Sequence, residues 1–269
     1  MPPARERTAV LILGHGSRVA RANQQFEALV AAYRRRRPDL DIAHAYVELA
    51  APLLAEALAA LARRADRVLV LPLFLLAAGH VKDDVPEALA AARAAFPQVG
   101  FGAARAIGAV NGLAELALQR LAAQVPLNGP EAARTALLGV GRGSSDFDAN
   151  GELCKLVRVL GERGGFARAE PSFIAVTRPL VPPALEDLAR LHAGPILVWP
   201  FFLFEGLLMQ QLAREVDAFR AAHPERQVRL AGHLGLDERL LALLDERLAW
   251  VTDGTGASPC GACPRTAAA

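Results

Sequence analysis

Short, nearly uninterrupted apolar runs alternate along this chain with longer stretches in which apolar residues recur every three or four positions. In the first half the runs fall at about 8–13, 41–48, 67–74 and 98–103, each short enough for a strand buried on both faces. Between them, Phe26, Leu29, Val30 and Tyr33 keep the i, i+3, i+4, i+7 spacing of a helix with one apolar face. Leu54, Ala57, Leu58 and Leu61 do the same for a second helix, whose first turn Pro52 suits. Asp83 or Asp84 can cap a third, with Pro86 at its start. In the second half the runs recur at about 134–140, 170–176, 195–202 and 227–232. Strands alternating with helices predict a parallel sheet covered on both faces, here twice over.

The two halves also match in detail. Gly14-His15-Gly16-Ser17 falls on Gly141-Arg142-Gly143-Ser144, Pro52-Leu53 on Pro179-Leu180, Gly108 on Gly235 and Leu113 on Leu240, all at one offset of 127 residues. Pro72 against Pro200 departs from it by one. The pattern predicts two tandem, doubly wound α/β domains with four-stranded parallel sheets, born of an internal duplication and facing each other across a cleft. Their expected limits are 1–125 and 134–251, with the Pro- and Gly-punctuated stretch 126–133 as linker and 252–269 as a flexible tail.

His15 follows the first strand, Glu48 closes the second, and His80 lies just beyond the third. Ligands of open parallel α/β sheets bind outside the carboxyl ends of the strands, so all three belong to one edge. Two histidines and a carboxylate suit a divalent transition metal, and a neutral imidazole also accepts a proton near neutral pH. At the matching positions the second half has Arg142, Ala175 and Leu207 or Leu208. The joint absence of all three marks the first half as the chemical one. His44 shares a face with Glu48 and reads as a packed strand histidine. Gly14-x-Gly16 begins a nucleotide-binding loop pattern but lacks its third glycine.

Charge narrows the partners. Thirty basic residues nearly balance 28 acidic ones, which does not give the clustered basic footprint of a nucleic-acid binder. The one basic run, Arg34-Arg35-Arg36-Arg37, ends a predicted helix and reads as a solvated face at the favourable end of the dipole. No apolar stretch reaches the roughly 20 residues of a membrane span, and the first residues lack a signal-peptide core. Three cysteines fit a reducing compartment, so a cytoplasmic protein is expected. Cys154 reads as a small core residue. Cys260 and Cys263 have the Cys-x-x-Cys spacing of a metal pair, and an iron–sulfur cluster shared across a dimer, a redox pair or an unstructured tail would each fit them. Monomer and homodimer are both compatible with the sequence.

Four segments together resemble the sirohydrochlorin chelatases, in particular the long cobaltochelatase form with two fused domains. They are Leu13-Gly-His-Gly-Ser-Arg18, Tyr46-Val-Glu-Leu-Ala-Ala-Pro52, Leu71 through Gly79-His80-Val81-Lys82-Asp83-Asp84 to Pro86, and Gly141-Arg-Gly-Ser-Ser-Asp146. The resemblance runs to about Trp250. It implies insertion of Co²⁺ or Fe²⁺ into a carboxylate-bearing tetrapyrrole, with cobalt as the metal of the long form. It also implies that His15 and His80 present the metal and accept protons, with Glu48 as acidic partner. Arg18, Lys82 and Arg142 would then bind substrate carboxylates, with Ser17 and Ser144 beside them. A non-catalytic metal or tetrapyrrole carrier is the alternative, and a histidine phosphotransferase a remote one, since Gly14 precedes His15 where that chemistry places an arginine.

Overall fold

A computed structural model describes residues 6–77, 80–108 and 111–253, with the side chains of His80, Val81 and Asp253 outside the description. Strands β1 (Thr8–Gly14), β2 (Asp41–Tyr46), β3 (Arg67–Pro72) and β4 (Gly100–Ala103) form one parallel sheet in the order β2-β1-β3-β4. Strands β5 (Ala136–Gly141), β6 (Arg168–Phe173), β7 (Ile196–Pro200) and β8 (Val228–Leu230) repeat it as β6-β5-β7-β8. The expected fold class is therefore found. β1 is buried along nearly its whole length and β5 throughout, which is why their sequences run apolar without alternation.

The helices are α1 (Ala20–Arg36), α2 (Leu54–Ala62), α3 (Val85–Ala95), α4 (Asn111–Ala122), α5 (Phe147–Gly164), α6 (Val181–Leu191), α7 (Leu207–Ala222) and α8 (Glu238–Asp253). In the first sheet, Leu11, Leu13, Val68 and Val70 pack on Leu58 and Leu61 of α2 and Leu89 of α3. In the second, Leu138, Val140 and Val198 pack on Leu185 of α6 and Val216 of α7.

The compact units divide the chain differently from its written halves. One comprises residues 1–110 with 238–269, the other 111–237. Helix α4, continuous with the first half, thus belongs to the second unit, and α8 belongs to the first. Equivalent arginines mark the exchange. Arg247 of α8 donates to the carbonyls of Ala106 and Ile107, while Arg120 of α4 donates to the carbonyl of Leu234 and pairs with Asp237 at 3.2 Å. The stretch expected to be a linker lies inside the second unit. Asn128 N–H donates to Gly164 O, Thr135 Oγ1 donates to Glu131 O, and Ala132 is buried.

Local expectations changed where distant segments intervene. The basic run is more than a solvated helix end: Arg34, Arg35 and Arg36 are exposed, yet Arg36 and Arg37 both pair with Asp245 of α8, Arg36 also with Glu238, and Arg34 donates to Ile42 O. Pro52 lies before α2, not in its first turn, and its carbonyl accepts from Tyr46 N–H; Glu56 caps that helix through Leu53 N–H. Asp84 makes no side-chain cap on α3, because the chain enters that helix already coiled, through a π-helical turn at His80–Asp84. Cys154 stands exposed on α5, since the helix turns its apolar face elsewhere. Among the described residues no helix is long and apolar enough to cross a membrane. Cys260 and Cys263 lie outside the described residues.

Candidate metal and proton-transfer site

Two strand ends build the site. The ladder between β1 and β2 continues past the regular strands, with Val47 N–H donating to Gly14 O and Glu48 N–H to His15 O. Gly16 then leaves with φ of +92°, and a Cβ there would lie 1.8 Å from the carbonyl oxygen of Glu48. Only glycine permits so close an approach. Consequently the His15 and Glu48 side chains emerge side by side, Nδ1 to Oε1 at 3.7 Å, with 35% and 48% of each side chain exposed.

Further groups steady the pair. The His15 ring lies 6.3 Å from that of Phe74, and its Nδ1 is 3.3 Å from Gly16 O, so tautomer decides whether it donates there. Ser17 Oγ accepts from Val19 N–H, and Asn23 donates its amide to Ser17 O, closing the loop into α1. The Ser17 hydroxyl oxygen is thereby engaged in the turn and keeps its O–H to offer. Asn23 and Phe74 were not singled out from the sequence. Asn23 could have been, because Asn150 lies 127 residues on and makes the same bond to Ser144 O.

His80 opens the π-helical turn before α3, and such turns recur at functional sites; its ring lies outside the described atoms. Among the described side chains no three or more His, Cys, Asp or Glu gather to hold a metal. The described part of the candidate site is one histidine and one carboxylate, both partly exposed. Arg18 and Lys82 are both exposed. His44 is not part of the site. That ring stands edge-on to Phe26 and Tyr46, and burial pushes its pKa down, as expected for a packed strand histidine.

The second unit reproduces this frame without its chemistry. Ala175 N–H donates to Arg142 O, Gly143 has φ of +88°, and Ser144 Oγ accepts from Asp146 N–H. Here Arg142 is exposed and Ala175 offers no carboxylate.

A protein-family model described as CbiX matches residues 9–124 and again 136–250. The chain belongs to the CbiX family. Over 256 residues it is 31% identical to the sirohydrochlorin cobaltochelatase of Priestia megaterium, covering 95% of this chain and 83% of that one. The sirohydrochlorin ferrochelatase of the same organism is 27% identical over 252 residues, 92% of each chain. Among solved structures, SirB from Bacillus subtilis with Fe³⁺ superposes with a TM-score of 0.79 at 25% identity, covering 91% of this chain and 95% of that one. Both CbiX repeats thus contain the His15 or Arg142 turn, and only the first carries the histidine and the carboxylate. The tail with Cys260 and Cys263 lies beyond both repeats.

Proposed function

We propose that this CbiX-family protein is a sirohydrochlorin chelatase, inserting Co²⁺ into a carboxylate-rich tetrapyrrole in a reducing, cytoplasmic setting. The reading is carried by the His15–Glu48 pair, 3.7 Å apart and open to solvent. Metal insertion exchanges one divalent cation for two pyrrole N–H protons, so the charge of the macrocycle is unchanged and two protons must be received. Neutral His15 can present the metal and then accept a proton; Glu48 balances metal charge and holds the imidazolium that results. His80 supplies the second imidazole. Few ligands suit a metal that must leave, since a closed four-ligand cage would retain it.

Substrate carboxylates fall to Arg18, Lys82 and Arg142, whose guanidinium and ammonium groups are exposed. Ser17 and Ser144 contribute their hydroxyl protons. Cobalt is preferred over iron because the 31% identical relative is a cobaltochelatase, against 27% for the ferrochelatase. The test is anaerobic absorbance of sirohydrochlorin with Co²⁺ or Fe²⁺ and the protein, beside His15→Ala and His80→Ala. Metallation faster than the metal-only control, greatest with Co²⁺ and lost in both variants, is the expected result. Stoichiometric pigment or metal binding without acceleration would make the protein a carrier.

A further inference from the structure

The carboxyl edge of the second unit lacks the histidine and the carboxylate of the first, and carries other groups in their place. At the positions that match His15, Glu48, Ala51 and Ala20 it has Arg142, Ala175, Arg178 and Phe147. Two guanidiniums and an aromatic ring thus stand where the first half has an imidazole and two methyl groups. All three are exposed, Phe147 to 90%.

Apolar exposure on this unit is concentrated along the same edge. Phe147 follows β5, Val176 follows β6, Leu207 follows β7 and Leu236 follows β8, so each strand end is succeeded by one large, exposed apolar side chain. Among the described residues of the unit, Leu191 at the end of α6 is the one such side chain placed elsewhere. Scattered apolar residues are ordinary on a surface, but one per strand along one edge is a pattern, and such patches mark binding sites. Val176 keeps its place at φ of +67°, which a β-branched residue rarely adopts. The strand order β6-β5-β7-β8 sets the four loops in a row, and strands about 4.8 Å apart give that row a breadth of roughly 14 Å. Such a row suits a rigid, planar ring. The charges fit the same ligand. Arg142 and Arg178 offer forks that match carboxylates, whereas Asp146 caps α5, Glu205 faces His233 at 3.5 Å and Asp237 pairs with Arg120.

We propose that the second unit is the pigment holder: its carboxyl edge takes the ring face of the tetrapyrrole on Phe147, Val176, Leu207 and Leu236, and ring carboxylates on Arg142 and Arg178. The inference rests on the chelatase reading and assigns pigment affinity to the unit that lacks the metal pair. Its test is titration of metal-free sirohydrochlorin, followed by absorbance, against wild type, Phe147→Ser, Phe147→Tyr, Arg178→Gln and His15→Ala, with the molecular mass of each in solution. Phe147→Ser should raise the pigment dissociation constant about tenfold, with Tm and Co²⁺ binding unchanged. Arg178→Gln should raise it several-fold, and less at high salt. Phe147→Tyr, which keeps the ring, should bind as wild type does, and so should His15→Ala, although it no longer metallates. Unchanged affinity in Phe147→Ser and Arg178→Gln, with wild type metallating normally, overturns this inference alone. So does a lower molecular mass of Phe147→Ser than of wild type, which would make the patch an interface between copies of this chain. Failure of wild type to bind and metallate the pigment overturns the chelatase reading with it.

Discussion

The carboxyl edges of the two sheets share a backbone and differ in chemistry. Each has a glycine at strongly positive φ pressed against a carbonyl of the neighbouring strand end, a serine closing the turn onto an asparagine, and a cis proline before the next helix. On that frame the first unit mounts His15 and Glu48, whereas the second mounts Arg142 and Ala175. Duplicated geometry with unduplicated chemistry separates two questions that single-domain sites confound, namely what the loop needs in order to fold and what the reaction needs in order to run. Substitutions at matched positions answer them separately.

The largest contrast should come from the chemical residues. His15→Ala and Glu48→Gln are expected to lower the rate of metallation by about a hundredfold or more, as loss of a proton-transfer group does. Arg142→Ala, at the position of His15, should instead raise KM several-fold with kcat little changed, because it removes uniform binding. Steady-state rates with sirohydrochlorin and Co²⁺ check both. Equal effects at the two positions would dissolve the contrast.

Next come the matched glycines. Gly16→Ala and Gly143→Ala each force a Cβ to within about 2 Å of a carbonyl oxygen at an unfavourable φ. Both should destabilise by ~3 kcal/mol, measured by denaturant unfolding. Only Gly16→Ala should also weaken Co²⁺ binding, since only there does the displaced strand end carry the proposed ligands His15 and Glu48.

How much of this was legible in the sequence follows from range. The strands were readable because a doubly covered parallel strand is apolar at every position, and the frame because residues 127 apart repeat it. His15 and Glu48 were readable because strand ends in such sheets converge on one edge. The positive φ of Leu49 and Val176, +63° and +67°, was not, since nothing in a Leu or a Val announces it. The surroundings of Arg36 and Arg37 were equally hidden. Their partner Asp245 lies some 200 residues away on a helix that belongs to the first unit in space and to the second half in sequence. The internal repeat implied a helix there but not where it docks.

That exchanged helix supplies the third test. Arg120→Met strips an ion-pair partner from Asp237, whose side chain is only 12% exposed, and should cost about 3 kcal/mol. Arg247→Met loses bonds to two carbonyls but also removes a guanidinium from a buried setting, so about 1–2 kcal/mol is expected. Chemical unfolding ranks them, and the reverse order would refute this account of the pair.

The smallest effect concerns pH and has the same sign in both units. Burial lowers the pKa of His44 in the first unit, with Arg34 adding to the shift and Glu27 opposing it; burial likewise lowers His233 in the second, against the opposing pull of Glu205. A histidine whose folded pKa lies below its unfolded value of about 6.5 binds fewer protons when folded. Its contribution is therefore complete above that value and is lost as pH falls below it toward the folded pKa. Thermal stability should decline between pH 7.5 and 5.5, and His44→Phe, which keeps the ring contacts with Phe26 and Tyr46, should flatten the decline by about 2 °C in Tm. His233→Phe should flatten it independently, and the two effects should add if the units titrate separately. A decline that neither variant alters would place the responsible groups elsewhere.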